Sequence, residues 1–236
     1  MTNDELVQEI KSLGYWRVEF HSTEYLAKRV TTRASLEALL SKAEVSLRGW
    51  PYPYYQANET VYNGQWLEGK INWGNYREYW RLYESGQWIH YARLHGAGVA
   101  CEEVFKGRSP LPPPHAGYVH VRDMLFTLTE IFHFAVGLAQ GGALDPTAFL
   151  SVQLHNTKDY MLYESFSRLF TYQYVNPVDK PIMFEQNLPA GELSASADKM
   201  ALDMAIKVYS VFNWIPADAA IRTLVEDQKK LIERRL

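Results

Sequence analysis

The groups in this 236-residue chain that can bind metal, attack a carbonyl or move a proton are seven histidines, one cysteine and 27 acidic residues. No two histidines stand four apart with a glutamate between them, the spacing of a zinc-protease helix. His90 and His95 fall on opposite faces of one predicted strand, and His115 and His120 flank a long loop. No metal and no cofactor is expected. His95-Gly96-Ala97-Gly98 follows a strand, but no third glycine opens a helix after it, so the dinucleotide fingerprint is missing. A phosphate loop ending in Gly-Lys-Ser/Thr and a Gly-x-Ser-x-Gly elbow are missing too. Cys101 sits beside Glu102 and Glu103, an electronegative setting for a nucleophile. The catalytic combination left is one assembled from distant residues: a hydrolase using His90, His155 and Glu164 near the Pro-rich loop.

Binding chemistry is better represented. Five of the seven tryptophans lie between Arg48 and His95, and aromatic residues make up 14% of the chain. Trp50, Tyr52, Tyr54, Trp88 and His90 stand in this stretch with Arg48, Arg77, Arg81 and Arg93. Rings supply stacking area and arginine supplies planar donors, the residue types that dominate interface hot spots. These nine residues form the candidate binding set. The same rings at strand and helix spacing also suit a core with polar tips, and Arg33, Lys42 and Arg48 lie off an apolar helix stripe as solvated charges.

The elements that must position these side chains follow from periodicity. Asp4–Leu13 predicts a helix, Tyr15–His21 a half-buried strand, and Arg33–Leu47 a helix capped by Thr32 and ended by Gly49. Pro51 and Pro53 keep Tyr52–Asn58 extended. Asn63-Gly64 between two alternating runs predicts a hairpin. Asn75, with Glu78 three residues on, predicts a capped helix carrying Tyr76, Tyr79, Trp80 and Tyr83 on one face and ending at Gly86. Gln87–His95 alternates as a strand. Gly96–His120, with Pro110–Pro114, predicts a loop that serves as connector, lid or docking segment.

Asp123–Gln140 is the most apolar helix, although Glu130 and His133 interrupt it, and it is placed across the sheet. Strands are predicted at Phe149–His155, near Arg168–Val175 and at Pro181–Phe184. A loop at Leu188–Ser194, a helix capped by Ser196 and a last amphipathic helix complete the chain. The fold class is α+β: a mixed, mainly antiparallel sheet, a buried central helix and two C-terminal helices. The chain is one domain, with residues 96–121 as the only internal boundary that composition suggests.

Net charge is −3 and basic residues are not segregated, so no basic face announces a nucleic-acid footprint. One cysteine excludes an intrachain disulfide and fits a reducing compartment. No signal peptide or membrane span is read, and a cytoplasmic location is expected.

Arg48-Gly49-Trp50-Pro51-Tyr52-Pro53, followed by Trp80-Arg81-Leu82-Tyr83-Glu84-Ser85-Gly86-Gln87-Trp88-Ile89-His90, resembles a pair of motifs in uncharacterised bacterial proteins. Some of these are linked to DNA-binding or phage-defence loci. The resemblance implies a prokaryotic source and a regulatory or defence context, and carries no activity. The expectation is a non-catalytic binding or sensor module recognising nucleic acid or a protein partner. Two alternatives stand beside it: the scattered-residue hydrolase, and an obligate homo- or hetero-oligomer subunit docking through its last helix.

Overall fold

The computed structural model describes residues 1–55, 59–107, 111–164 and 173–235. Thr2 opens α1 (Asn3–Lys11) with a reciprocal capping box. Its hydroxyl accepts from the Glu5 N–H, and the Glu5 carboxylate accepts from the Thr2 N–H at 2.7 Å. β1 (Tyr15–Ser22) alternates as predicted. Thr32 caps α2 (Arg33–Ala43), which stops short of Leu47 because Glu44 turns extended, at ψ 134°, and Val45 bridges to Tyr52. Gly49, at φ +88°, serves the return between those two residues rather than a helix end.

Asn63-Gly64 joins β2 (Val61–Tyr62) to β3 (Trp66–Trp73) as the hairpin expected, with the Asn63 side chain accepting from the N–H groups of Gln65 and Trp66. The predicted aromatic helix over Asn75–Gly86 does not form; this segment is β4 (Tyr76–Tyr83), paired along its length with β3. Aromatic residues fit a pleated sheet well, and strands on both sides satisfy backbone groups that a short helix would leave open at its ends. Alternation decides the outcome. Glu78, Trp80 and Leu82 face the core side, while Arg77, Tyr79 and Arg81 face the other, so the four rings once placed on one face are divided between two.

β5 (Trp88–Arg93) is the strand predicted, ending before His95. The region read as one loop contains the helical turn α3 (Cys101–Val104) and β6 (Gly117–His120); Pro110 lies outside the described residues. After it come α4 (Val121–Gln140), β7 (Thr147–His155), β8 (Tyr160–Tyr163), β9 (Tyr174–Val175), β10 (Ile182–Pro189), α5 (Ala190–Val211) and α6 (Asp218–Ile232). Residues 168–172 of one predicted strand lie outside the described residues. The loop expected at Leu188–Ser194 is absent, because Pro189 ends β10 and stands at the N-cap of α5. Ser196 lies inside that helix, its hydroxyl donating to the Glu192 carbonyl.

The large sheet is antiparallel throughout, in the order β10-β7-β1-β5-β4-β3-β2. A smaller sheet runs β6-β8-β9, with β6 and β8 parallel. The fold is therefore α+β, with the predicted central helix and two C-terminal helices. On the inner face of the large sheet one row reads Phe184, Val152, Val18, His90, Trp80, Gly69. Gly69 is required there: a Cβ would lie 2.3 Å from the Trp80 ring. α4 packs on α2, α5 and α6, and Gly137 lets α4 approach the Ala43 backbone of α2, where a Cβ would meet Cα at 2.5 Å.

Val119, Tyr160 and Leu162 of the small sheet share this core. The outer face is covered in part by α1, whose Leu6 and Ile10 bury with Tyr15 and Tyr79. The apolar stripe of α6, read as a docking surface, is taken up inside the chain: Leu224 and Leu231 join the main core and Asp227 pairs with Arg122. Among the described residues no helix is long and apolar enough to cross a membrane.

Candidate functional site

A cleft of about 700 Å³ opens between the inner face of β3–β5, the segment Arg48–Tyr54 and the first turns of α4. Proline and glycine shape its rim: the Val45–Tyr52 bridge folds Trp50 and Tyr52 back over the sheet. At its floor His90 is 1% exposed, held in the apolar row between Val18 and Trp80. Both of its ring nitrogens are engaged, Nδ1 with the Tyr52 hydroxyl at 3.0 Å and Nε2 with Glu78 Oε2 at 3.2 Å. The arrangement that satisfies all three groups has Tyr52 donating to Nδ1 and Nε2–H donating to the carboxylate. Burial, then Glu78 and Glu130, push the Tyr52 hydroxyl pKa well above its ordinary range, so it stays a donor.

The second polar anchor is Arg48, which was expected to be a solvated charge. It forks onto Glu130, Nε to Oε1 at 3.1 Å and Nη2 to Oε2 at 2.5 Å, and Nη2 also donates to Thr127. Its guanidinium lies 5.2 Å from the Trp50 ring. Burial raises the Glu130 carboxyl above the ordinary carboxylate range; Arg48 pulls it down, and Glu78 and Asp123 push it up again. Three carboxylates thus share one region around one guanidinium. Tyr163, on the small-sheet side, is pushed up to about 12 by burial, then by Asp123 and Glu164.

Aromatic rings form the mouth. Trp50 is 50% exposed, Trp73 76% and Tyr76 46%; among the described tryptophan, tyrosine and phenylalanine residues only Tyr25 is as exposed. Trp73 and Tyr76 stack with centroids 6.1 Å apart, and His95 meets Tyr76 edge-on. These rings also border an adjoining chamber of about 450 Å³ that runs toward α3. His95 lines the cleft with His90 because β5 ends at Arg93, so strand alternation no longer governs its direction.

The nine candidate binding residues separate into three groups. Arg48, Trp50, Tyr52, Tyr54 and His90 line the cleft. Trp88 does not: it is 0% exposed, stacked on Trp80 and packed on Phe134, a core ring. Arg77, Arg81 and Arg93 point to the opposite face of the sheet, by strand parity, and are tied down there. Arg77 pairs with Glu9, Arg81 with Glu68, and Arg93 donates to the Glu9 carbonyl. Arg93 also borders the cleft.

The scattered hydrolase site is not assembled. His155 lies on the outer face, stacked on Tyr15 at 4.7 Å, while His90 lies on the inner one. Glu164 belongs to a separate buried network with Arg122 and His120. Among the described residues no three His, Cys, Asp or Glu are gathered closely enough to hold a metal ion.

Glu78, Trp73, Tyr76, Asp123 and Glu130 are the cleft residues that sequence reasoning missed. Glu130 carried a signal, since a charge inside an apolar helix must find a partner. No family model matches the chain, and neither a curated protein nor a solved structure is significantly similar to it.

Proposed function

We propose that this chain is a non-catalytic binding module that takes a planar group of a protein partner into the cleft below β3–β5. One observation carries the reading: among the described residues, three of the four exposed tryptophan and tyrosine rings converge on a single cleft whose floor is already built from paired polar groups. Exposed rings around a concave site with a few fixed polar groups are the ordinary anatomy of ligand recognition.

The edge of β3 favours a polypeptide over a nucleic acid. β2 pairs only with Leu67 and Glu68, so among the described residues no strand pairs with Gly69–Trp73 on that side, and this edge borders the cleft. Strand addition there would supply backbone hydrogen bonds while the cleft takes a side chain. Three of the four arginines in the candidate set, Arg77, Arg81 and Arg93, are bound to Glu9 and Glu68 on the other face, away from any phosphate in the cleft. A catalytic role is disfavoured by the burial of the same floor, since His90 is 1% exposed and the Tyr52 hydroxyl bonded to it is buried as well. The motifs at residues 48–53 and 80–90 support an accessory role in a prokaryotic regulatory or defence system.

Selection from a displayed random-peptide library tests the reading. Peptides enriched on the wild type should be lost on a Trp50→Ala/Trp73→Ala variant. Single-stranded DNA and RNA at low salt should leave the tryptophan fluorescence unchanged; strong quenching by either would transfer the reading to nucleic acid.

A further inference from the structure

We infer that the group taken into this cleft is a positively charged planar one, the guanidinium of an arginine on the partner protein, held between the Trp50, Trp73 and Tyr76 rings and the Glu78 carboxylate. The inference rests on the binding-module reading and adds the chemistry of its guest.

Charge gives the sign. Four carboxylates border the cleft, those of Glu59, Glu78, Asp123 and Glu130, against the cations Arg48, Lys70 and Arg93. Two of the cations do not act in it. The Lys70 ammonium binds the Asn3 side chain, and the Arg93 guanidinium the Glu9 carbonyl, both on the outer side of the sheet. The third, Arg48, is committed to Glu130 in a two-point pair. Asp123 also lies 3.9 Å from the Arg48 guanidinium, so one cation faces three carboxylates, and among the described residues Glu78 is met only by His90; counting histidine as neutral, the cleft keeps an excess of negative charge at Glu78. A phosphate or carboxylate guest would meet that excess as repulsion.

Geometry gives the shape. His90 engages only Oε2 of Glu78, and Oε1 has no hydrogen-bond partner among the described residues. The His90 bond, backed by Tyr52, holds this carboxylate against rotation. A guanidinium offers a fork of donors to a fixed carboxylate and a flat face to an indole, whereas an ammonium offers neither fork nor plane. Trp is the strongest ring partner for such a cation, and Arg48 already lies over Trp50 in that manner. The cleft and its adjoining chamber are larger than one side chain, which leaves room for the flanking residues of a partner segment along β3.

The test uses the full chain and three end-blocked tripeptides, Gly-Arg-Gly, Gly-citrulline-Gly and Gly-Glu-Gly. Indole resonances of the ¹⁵N-labelled protein report binding. Citrulline keeps the plane of arginine and removes its charge. The arginine peptide should bind at least about tenfold more tightly than the citrulline peptide, and the glutamate peptide more weakly than both. Glu78→Gln keeps an acceptor for His90, and should remove the preference for the arginine peptide over the citrulline peptide.

Equal or tighter binding of the citrulline or glutamate peptide overturns the charge assignment and leaves the cleft as a binding site. An arginine preference that survives Glu78→Gln overturns the assignment of that preference to Glu78. Resonances of Trp50 and Trp73 unmoved by all three peptides at millimolar concentration overturn both this inference and the reading beneath it.

Discussion

Arg48 closes on Glu130 across 82 residues of sequence, its guanidinium forked on a carboxylate whose side chain is 1% exposed. This pair pins the Arg48–Tyr54 segment to α4 and so fixes one wall of the cleft. A buried pair of this kind is strong evidence of what removal would cost and weak evidence of net stabilisation, because both ions were desolvated to form it.

Arg48→Met should therefore destabilise the fold by about 3–5 kcal/mol at neutral pH, the usual cost of a buried charge left without its partner. The cost should depend on pH. Burial holds the Glu130 carboxyl above its unfolded value near 4.5. An acid raised in the folded state contributes stability that is fully present below the unfolded value and lost as pH climbs through the folded one. Without Arg48 the carboxyl rises further. Urea unfolding should show the gap between wild type and variant widening as pH rises above the ordinary carboxylate range.

The tryptophans should separate into two classes. Trp88→Ala removes a ring packed between Trp80 and Phe134, and should cost about 3–5 kcal/mol. Trp73→Ala removes a largely exposed ring and should change stability by less than about 0.5 kcal/mol while weakening ligand binding. Denaturant midpoints of the two variants measure the contrast.

Gly69→Val should be more damaging than its place near a sheet edge suggests. The added atoms would occupy the space of the Trp80 indole, whose N–H donates to the Tyr54 carbonyl at 3.1 Å. Overpacking of this kind costs about 1–3 kcal/mol, and displacing Trp80 would loosen the Tyr54 wall of the cleft. Thermal unfolding and the Trp80 indole resonance report the two effects separately.

His155 supplies a second pH dependence of opposite sign to that of Glu130. Burial, then Arg17 and Lys11, hold its pKa below the ordinary 6.5. A histidine depressed in the folded state contributes stability present above 6.5 and lost as pH falls through the lowered value, since the unfolded chain binds the proton first. His155→Asn should flatten the decline in thermal stability below about pH 6.5.

Much of this fold could be read from residues. Asn63-Gly64 requires a hairpin, the alternation of Trp16, Val18 and Phe20 requires a half-buried strand, and the apolar run of α4 requires burial. Tyr76–Tyr83 was misread for a physical reason. Asn75 and Glu78 have the local chemistry of a helix start, while the aromatic run from Tyr76 to Tyr83 suits a pleated strand as well, and pairing with β3 and β5 decides between them. The site was legible in part. The motif at residues 48–53 marked Arg48, Trp50 and Tyr52, which do line the cleft. Glu78 and Tyr76 became visible only once β4 was known to be a strand, since strand parity is what turns Glu78 toward His90 and sends Arg77 and Arg81 to the other face. Glu130 had no assignable partner in sequence, because Arg48 is brought to it by tertiary packing alone.

The most direct test of the cleft as a binding site is a titration of the ¹⁵N-indole spectrum with the arginine tripeptide. The resonances of Trp50 and Trp73 should shift together along one saturation curve while those of Trp80 and Trp88 stay fixed. Shifts confined to Trp66 or Trp214, or no shift at saturating peptide, would contradict the account.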